Sequence, residues 1–488
     1  MDFSRVMREE TKWTKTENGA DAKNTTDSAL LDMFATIGSM RGRTDDEIIQ
    51  KFELAYHEDP LGAIRCAFYT RDARGGLGER RIFRVLIDYI ANNHPEALRN
   101  NLDLIPEFGR FDDFYSLVDT ELEDEMWRVV RIRFERDENL MVAGKPCSLL
   151  AKWLKKADGS SKNTRKLGIY TAKKMGMSVK DYTKRCKKLR KYIGIVEQKM
   201  SANRWSDIEY GKVPSRAMMN YRNAFSRHDG KRFQGYIDDV NAGKEKINSS
   251  TLYPYDIIEK ILYHHEDSKV LEAQWNNLPD YVNGEVNAVV MADVSGSMLW
   301  NQGGRPLATS IGLALYFAER NTGAYHNLFM TFSESPRFVE VKGGNIAQKV
   351  DFMRDAEWGY STNLEAAMMK ILDVAIENNC TQEEMPKSLI VISDMEINSC
   401  THQEHRENFY DYVARVYEKN RYKVPNIVFW NVDSRHDVFL ADKHRRGVQL
   451  VSGQSASTFK NLINSIGKTP VEMMYDVLNS ERYQVVTL

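Results

Sequence analysis

Apolar residues recur at intervals of three and four along residues 28–265, for example in DDEIIQKFELAYHED and RRIFRVLIDYIANNHPEALRNNL. This spacing predicts amphipathic helices. Thr44 or Asp45 can cap the first of these two helices, and Pro60 lies just beyond its end. Several helices separated by short breaks favour a HEAT-like stack of helix pairs, arranged as a solenoid or a ring. This prediction rests on helix density, because the sequence has no clean internal repeat.

The pattern changes at about residue 285. Apolar runs such as EVNAVVMADVS, HNLFMTFS, KSLIVISDME and PNIVFWNVD then alternate with helical segments. This alternation predicts βαβ units and a doubly wound, mostly parallel sheet. The closing RYQVVTL is either a last strand or a return to the helical region. We therefore expect an α plus α/β fold with a flexible tail over 1–27, an α-helical repeat domain over 28–275 and an α/β domain over 285–488.

The composition is that of a globular protein, since 42% of the 488 residues are hydrophobic and 28% are charged. No apolar run reaches the roughly 18 residues that a membrane span requires. The N-terminus is polar and contains several acids, unlike a signal or transit peptide. The five cysteines are scattered and form no C-x-x-C pair, which is typical of reduced thiols. We expect a cytoplasmic monomer without a membrane segment.

The net charge of −1 hides a strongly basic segment. Residues 145–191 contain sixteen Lys or Arg and two acids, a balance of +14. Such a run favours a polyanion as partner, although any single lysine on a solvated helix face needs no such explanation. Trp153, Tyr170, Tyr182 and Tyr192 are interleaved with the charges and can stack on bases. The candidate RNA contacts in this segment are Lys152, Lys155, Lys156, Arg165, Lys166, Lys173, Lys174, Lys184, Arg185, Lys187, Lys188, Arg190 and Lys191.

A second candidate phosphate site is the glycine-rich stretch TRDARGGLGERR before a helix. Backbone N–H groups at the helix start, together with Arg74, Arg80 and Arg81, can hold a phosphate. The stretch lacks G-x-x-x-x-G-K-[ST] and is therefore not a nucleotide P-loop. A helix connection whose arginines pair with Asp72, Glu79 and Asp88 explains the same residues at least as well.

Polar residues follow two strands of the predicted sheet. Asp293, Ser295 and Ser297 follow the first strand at a spacing of two, and Asp394 ends the strand LIVISD. Thr362 lies in a loop just before a helix. Ligand sites in open α/β sheets lie beyond the carboxyl ends of the strands, so we expect these oxygens to converge. An all-oxygen set suits Mg²⁺, and less selectively Mn²⁺ or Ca²⁺. The alternative is that the two aspartates only cap helices.

The D-x-S-x-S pattern with a later Thr and Asp resembles the metal-ion-dependent adhesion site (MIDAS) of von Willebrand factor A domains. In that family the serines and the threonine bind the metal, and the aspartates act directly or through water. The resemblance assigns these roles to Asp293, Ser295, Ser297, Thr362 and Asp394. The family usually has Gly after the last Asp, where this chain has Met395.

The stretch from Thr70 to Ile90, followed by IPEFGRFDDFYSL, resembles a Ro-like family that joins a TROVE-related helical-repeat domain to a C-terminal von Willebrand A domain. The branch that the chain resembles includes viral members. The resemblance implies a ribonucleoprotein in which the helical domain holds small or misfolded RNA at single-stranded ends. We predict a non-catalytic RNA-binding protein whose metal site contacts an acidic protein partner. One alternative is a metal-dependent assembly factor without RNA binding, such as a viral structural component. Another is a metal-dependent hydrolase, for which the sequence offers no evident base.

Overall fold

The computed structural model describes Met7 and residues 10–264, 269–282, 286–355, 362–399 and 408–488. The first part is helical and the second contains a mostly parallel six-stranded sheet, so the fold is α plus α/β as predicted. Among the described residues, no helix has both the length and the apolar character that crossing a bilayer requires. Cys400 and part of the loop before Thr362 lie outside the described residues.

The helical part contains short and long helices joined by brief connections. The helices are α1 (Ala29–Thr36), α2 (Asp45–Glu58), α3 (Pro60–Arg71), α4 (Arg80–Asn93), α5 (Pro95–Arg99), α6 (Ile105–Phe108), α7 (Glu123–Val142), α8 (Leu150–Trp153), α9 (Lys162–Lys174), α10 (Val179–Ile193), α11 (Val196–Ser201), α12 (Ser215–Asn241), α13 (Pro254–His264) and α14 (Lys269–Asn276).

Local sequence signals place the ends of these helices. Thr44 is the N-cap of α2 and forms a reciprocal capping box with Glu47, which confirms one of the two predicted caps. Pro60 starts α3, because Asp59 caps that helix and proline is well suited to a first turn. The glycine-rich turn before α4 is needed for close approach, since a Cβ on Gly76 would lie 2.1 Å from the Tyr69 carbonyl oxygen.

The segment that we predicted as a flexible tail is partly a β-hairpin. Strands β1 (Trp13–Lys15) and β2 (Asp21–Lys23) pair antiparallel. The hairpin docks on the α/β part, where Lys23 forms a bridge with Phe439 and Gly19 with Asn398. The prediction was wrong here because this hairpin obtains its order from residues that lie far away in the sequence. An isolated two-stranded hairpin is only marginally stable, so local sequence gives little sign of it.

The sheet has the strand order β5-β4-β3-β6-β7-β8. Five strands are parallel, and the edge strand β5 is antiparallel to β4. The strands are β3 (Ala288–Ala292), β4 (Leu328–Thr331), β5 (Phe338–Glu340), β6 (Ser388–Ser393), β7 (Asn426–Asn431) and β8 (Val448–Ser452). The helices are α15 (Gly296–Trp300), α16 (Arg305–Arg320), α17 (Ile346–Arg354), α18 (Leu364–Glu377), α19 (Phe409–Lys419), α20 (Thr458–Ile463), α21 (Pro470–Leu478) and α22 (Glu481–Gln484).

Both faces of the sheet are covered. Along β3, Val289 and Met291 face one apolar core, while Val290 and Ala292 face a core that continues into the helical part. The C-terminal RYQVVTL lies wholly within the described residues, forms no strand and instead returns to the helical part, which was the second of the two predictions for this segment. It contains the end of α22, and the Tyr483 hydroxyl donates to Asp72 at 2.9 Å. The two parts therefore share one continuous core.

Candidate metal centre and arginine-lined cavity

Strands β3 and β6 are neighbours at the point where the strand order reverses. In sheets of this kind the crevice beyond the carboxyl ends at that point is the usual ligand site. Asp293 follows β3 and Asp394 follows β6, and Ala292 is in register with Ile392. The sheet therefore places the two carboxylates at the same end of adjacent strands.

Asp293 is fully buried and is held from both sides. Its Oδ1 accepts a hydrogen bond from the Ser295 N–H at 2.8 Å, and its Oδ2 accepts one from the Ser393 hydroxyl at 2.6 Å. The hydroxyls of Ser295 and Ser297 lie 3.1 Å apart. The period-two spacing therefore directs these hydroxyls to one point next to Asp293.

The second carboxylate and the threonine lie on the other side of the crevice. Asp394 is buried, its Oδ1 accepts from the Glu396 N–H at 3.2 Å, and its Oδ2 accepts from Arg435 at 2.9 Å. The Thr362 hydroxyl donates to the Glu396 carbonyl oxygen at 2.9 Å. The predicted residues thus converge on one end of the sheet, and the Thr362 hydroxyl proton is directed at the loop after β6.

Met395 occupies the position after Asp394, where the resemblance described above leads one to expect glycine. Its φ is +69°, a left-handed conformation that costs a residue with a Cβ about 1 kcal/mol or more. The side chain of Met395 is buried in the core on that face of the sheet. Apolar burial of this side chain therefore offsets backbone strain at Met395.

The electrostatics of the crevice favour a cation. Burial raises the pKa of Asp293 to about 6, and the nearby charge of Asp394 adds to the shift. Two buried like charges repel each other strongly unless a positive charge separates them. Arg435 supplies part of that charge at Asp394, and a divalent ion bound between the two carboxylates would supply the rest. Two carboxylates with three hydroxyls form the hard oxygen set that Mg²⁺ prefers.

Sequence reasoning missed three residues of this crevice. Asp433 is buried just after β7, and its Oδ1 accepts from Gln302 at 2.6 Å. Its Oδ2 is buried and accepts no hydrogen bond from the described part of the chain. The strand-end rule that found Asp394 also applies to Asp433. Nothing in the local sequence indicates Arg435 or Gln302.

The helical part contains a cavity of about 1700 Å³, which also reaches residues of the α/β part. Its lining has eleven cations against seven carboxylates. The lining cations are Arg41, Arg71, Arg74, Arg80, Arg81, Arg84, Arg110, Arg133, Arg216, Arg305 and Lys152. Of the residues predicted to contact RNA, Arg74, Arg80, Arg81 and Lys152 are among them. Trp153 also lines the cavity, with the Arg110 guanidinium 4.0 Å from its ring centroid.

Most of the lining arginines have acid partners. Arg71 pairs with buried Asp113 at 2.8 Å, and Arg216 pairs with Asp256 at 2.9 Å. Two of the acids that the alternative interpretation assigned to the glycine-rich stretch pair with more distant arginines, Glu79 with Arg41 and Asp72 with Arg482.

Arg80, like Arg74, forms no ion pair within the described part of the chain, and it gives the cavity a local excess of positive charge. Its side chain is exposed, and burial together with the charges of Arg110 and Arg84 lowers its pKa. Like charges gathered around an exposed guanidinium are well suited to accept an anion.

The rest of the basic segment lies outside the cavity lining. Lys156, Lys166, Lys184, Lys188 and Lys191 are exposed, as an RNA-contacting surface requires. The remaining side chains in the predicted set, Lys155, Arg165, Lys173, Lys174, Arg185 and Lys187, are exposed or half-buried.

Several members of that segment have internal partners. Arg185 pairs with Glu138 and Lys187 pairs with Asp158. Arg190 was a wrong choice, because it is buried and donates to the carbonyl oxygens of Ala151 and Leu154. Tyr182 is likewise buried, so its ring is not available for stacking on bases.

Comparison with known proteins identifies two matching family models and a viral relative. Residues 16–139 and 145–285 match the family described as "Domain of unknown function (DUF2828)", and residues 287–483 match "Domain of unknown function (DUF7788)". Uncharacterized protein L728 of Acanthamoeba polyphaga mimivirus is 28% identical over 505 aligned residues, covering 95% of this chain and 86% of that protein.

Among solved structures, the chain is similar to the Ro protein (RSR) of Deinococcus radiodurans, with 14% identity and a TM-score of 0.47. That similarity covers 94% of this chain and 100% of the Ro chain. The DUF2828 match extends over more than half of this sequence, and it meets the DUF7788 match where the sheet begins. The chain therefore belongs to the DUF2828 family.

Proposed function

We propose that this protein is a non-catalytic, Ro-like RNA-binding protein. The arginine-lined cavity holds a single-stranded end of a small or misfolded RNA. The crevice at Asp293 and Asp394 binds Mg²⁺ and, through it, an acidic group of a protein partner. The observation that carries this proposal is the cavity, whose lining has four more cations than carboxylates.

The size of the cavity favours an oligonucleotide. Small-molecule pockets usually enclose about 300–1000 Å³, and this cavity has about 1700 Å³. Guanidinium groups fit phosphate oxygens well, and exposed Arg80 is available to them. Trp153 and Tyr221 in the lining offer aromatic surfaces for unpaired bases. The exposed lysines of segment 145–191 can add a second, outer contact with the backbone.

The experiment is a titration of the full chain with a labelled RNA hairpin that carries a single-stranded 3′ extension, at several salt concentrations. Neutralising two exposed arginines of the cavity, Arg74→Gln with Arg80→Gln, should weaken binding about tenfold and reduce the salt slope by between one and two. Exposed Arg136→Gln with Arg421→Gln makes the same charge change outside the cavity lining and should leave affinity within twofold. Equal losses in the two variants would contradict cavity binding.

A second candidate function is that of a metal-dependent assembly factor that does not bind RNA. The acid partners of most lining arginines favour it, because paired arginines can serve the structure alone. In that case the natural chain binds no RNA, and Asp293→Ala abolishes only partner binding. Metal-dependent turnover of RNA that is lost in Asp394→Ala would instead establish a hydrolase.

A further inference from the structure

The turn of the N-terminal hairpin lies on the rim of the candidate metal centre. Glu17 in this turn accepts a hydrogen bond from Arg435 at 2.8 Å, and Arg435 in turn donates to Asp394 at 2.9 Å. The other oxygen of Glu17 lies 2.8 Å from the His436 ring nitrogen. An acidic side chain from elsewhere in the chain is therefore one residue removed from a predicted metal ligand.

The turn is also held by its backbone. The Glu17 N–H donates to the Glu396 carboxylate at 2.6 Å, and the Asn18 amide donates to the Glu396 carbonyl oxygen at 2.6 Å. The Ser399 N–H donates to the Asn18 carbonyl oxygen at 3.1 Å. These contacts cover the loop after β6 with a short acidic turn, Thr16–Gly19.

The hairpin is small enough to leave its docking site reversibly and be replaced there by another segment. Each of its strands has three residues, and hairpins of two strands alone are marginal in water. It is held to the body by hydrogen bonds, each worth about 1 kcal/mol net, and by the burial of two small apolar side chains, Ala20 and Ala22. Glu17 and His436 are exposed, so water and a competing carboxylate can reach this ion pair.

We propose that this turn is an intramolecular latch that occupies the surface an acidic protein partner uses. The partner presents a carboxylate in a turn and displaces Glu17 from Arg435 and His436. This exchange brings the partner's carboxylate next to the candidate metal centre. The latch lowers partner affinity until it is displaced. This inference rests on the partner contact proposed above and is independent of RNA binding.

The test uses three full-length proteins and one probe, a fluorescent peptide of residues 10–24. The first protein is the natural chain. The second carries Glu17→Ala and Asn18→Ala, which remove side-chain contacts of the latch. The third carries Gly19→Cys and Ser399→Cys in a Cys400→Ser background. A Cβ on Gly19 would lie 3.7 Å from the Ser399 Cβ, within the range of a disulfide, although φ of +87° at Gly19 strains a cysteine there.

Fluorescence anisotropy should show peptide binding at least tenfold tighter to the unlatched chain than to the natural chain. The tethered turn competes at an effective concentration of about millimolar. The oxidised cysteine variant should bind no peptide, and reduction should restore the affinity of the natural chain. A peptide with Glu17→Gln should bind the unlatched chain at least fivefold more weakly. Lys15→Ala, on the exposed side of the hairpin, is the control and should behave as the natural chain.

Equal peptide affinity of the natural and unlatched chains would overturn the latch, as would equal binding of the two peptides. Circular dichroism melting of each protein confirms that the body remains folded. RNA titrations of the same samples separate the two proposals. Loss of RNA binding with intact latch behaviour contradicts only the RNA function, and the reverse result contradicts only the latch.

Discussion

The guanidinium of Arg435 donates a hydrogen bond to the carboxylate of Asp394 at 2.9 Å, so a predicted metal ligand already has a positive partner. The side chain of Asp394 is almost fully buried, at 1% exposed, and water therefore screens this pair poorly. A divalent cation in the crevice must share Asp394 with the guanidinium and is repelled by it.

Replacing Arg435 should therefore strengthen metal binding. In Arg435→Gln we expect the Mg²⁺ dissociation constant to fall about tenfold, equivalent to about 1.4 kcal/mol, as measured by isothermal titration calorimetry. Arg354→Gln is the matched control, since Arg354 pairs with Asp351 on an exposed helix surface. Unchanged or weaker Mg²⁺ binding in Arg435→Gln would show that the guanidinium does not compete with the ion.

The backbone of Met395 gives a prediction in which alanine and glycine change their usual order. Both substitutions remove the buried side chain, at a cost of about 2–5 kcal/mol. Only glycine also removes the left-handed strain at φ +69°. Met395→Gly should therefore be more stable than Met395→Ala by about 1 kcal/mol in urea unfolding. Equal stability, or a more stable alanine variant, would mean that the strain is not present.

The crevice separates what a sequence can predict from what it cannot. Asp293 and Asp394 were predictable because each ends an apolar strand and parallel strands bring such ends together. Asp433 satisfied the same rule after β7. Arg435 and Glu17 follow no such rule. Arg435 lies in the loop after β7, and Glu17, which is 418 residues earlier in the sequence, reaches it from the docked hairpin.

The charges around the cavity also show what can and cannot be predicted from the sequence. Counting lysines and arginines located the basic segment 145–191, of which only Lys152 is a lining cation. The arginines of the cavity come from positions between Arg41 and Arg305, and only those from Arg71 to Arg84 lie close together in the sequence. Tertiary packing brings the remaining arginines to the same cavity, and the amino-acid composition cannot predict this. Burial likewise turned Arg190 from a candidate surface contact into a donor to backbone carbonyls.

Contact between the helical and α/β parts depends on two facing glycines. A Cβ on Gly38 would lie 2.8 Å from the Gly453 Cα, closer than normal contact allows. Gly38→Ala should therefore destabilise the protein by about 1–3 kcal/mol. Gly235→Ala is the control, because Gly235 lies within α12 with open space around it. That variant should be stabilised by about 0.5–1 kcal/mol. Similar thermal shifts of the same sign in both would contradict a tight contact.

An acid-dependent contribution to stability comes from Asp112, which pairs with two arginines of the cavity lining. Burial alone would raise its pKa, but Arg110 and Arg84, each 2.9 Å away, outweigh burial and lower it. A group with a lowered folded pKa stabilises the protein above its unfolded pKa of about 4 and loses that effect as the pH falls through the folded pKa.

Asp112→Asn should therefore be less stable than the natural chain at pH 7, and the difference should shrink as the pH falls below about 4. Urea midpoints measured between pH 7 and pH 3 test this, with exposed Glu121→Gln as the control that changes little at any pH. A difference that stays constant across this range would mean that Asp112 is held by packing rather than by its charge.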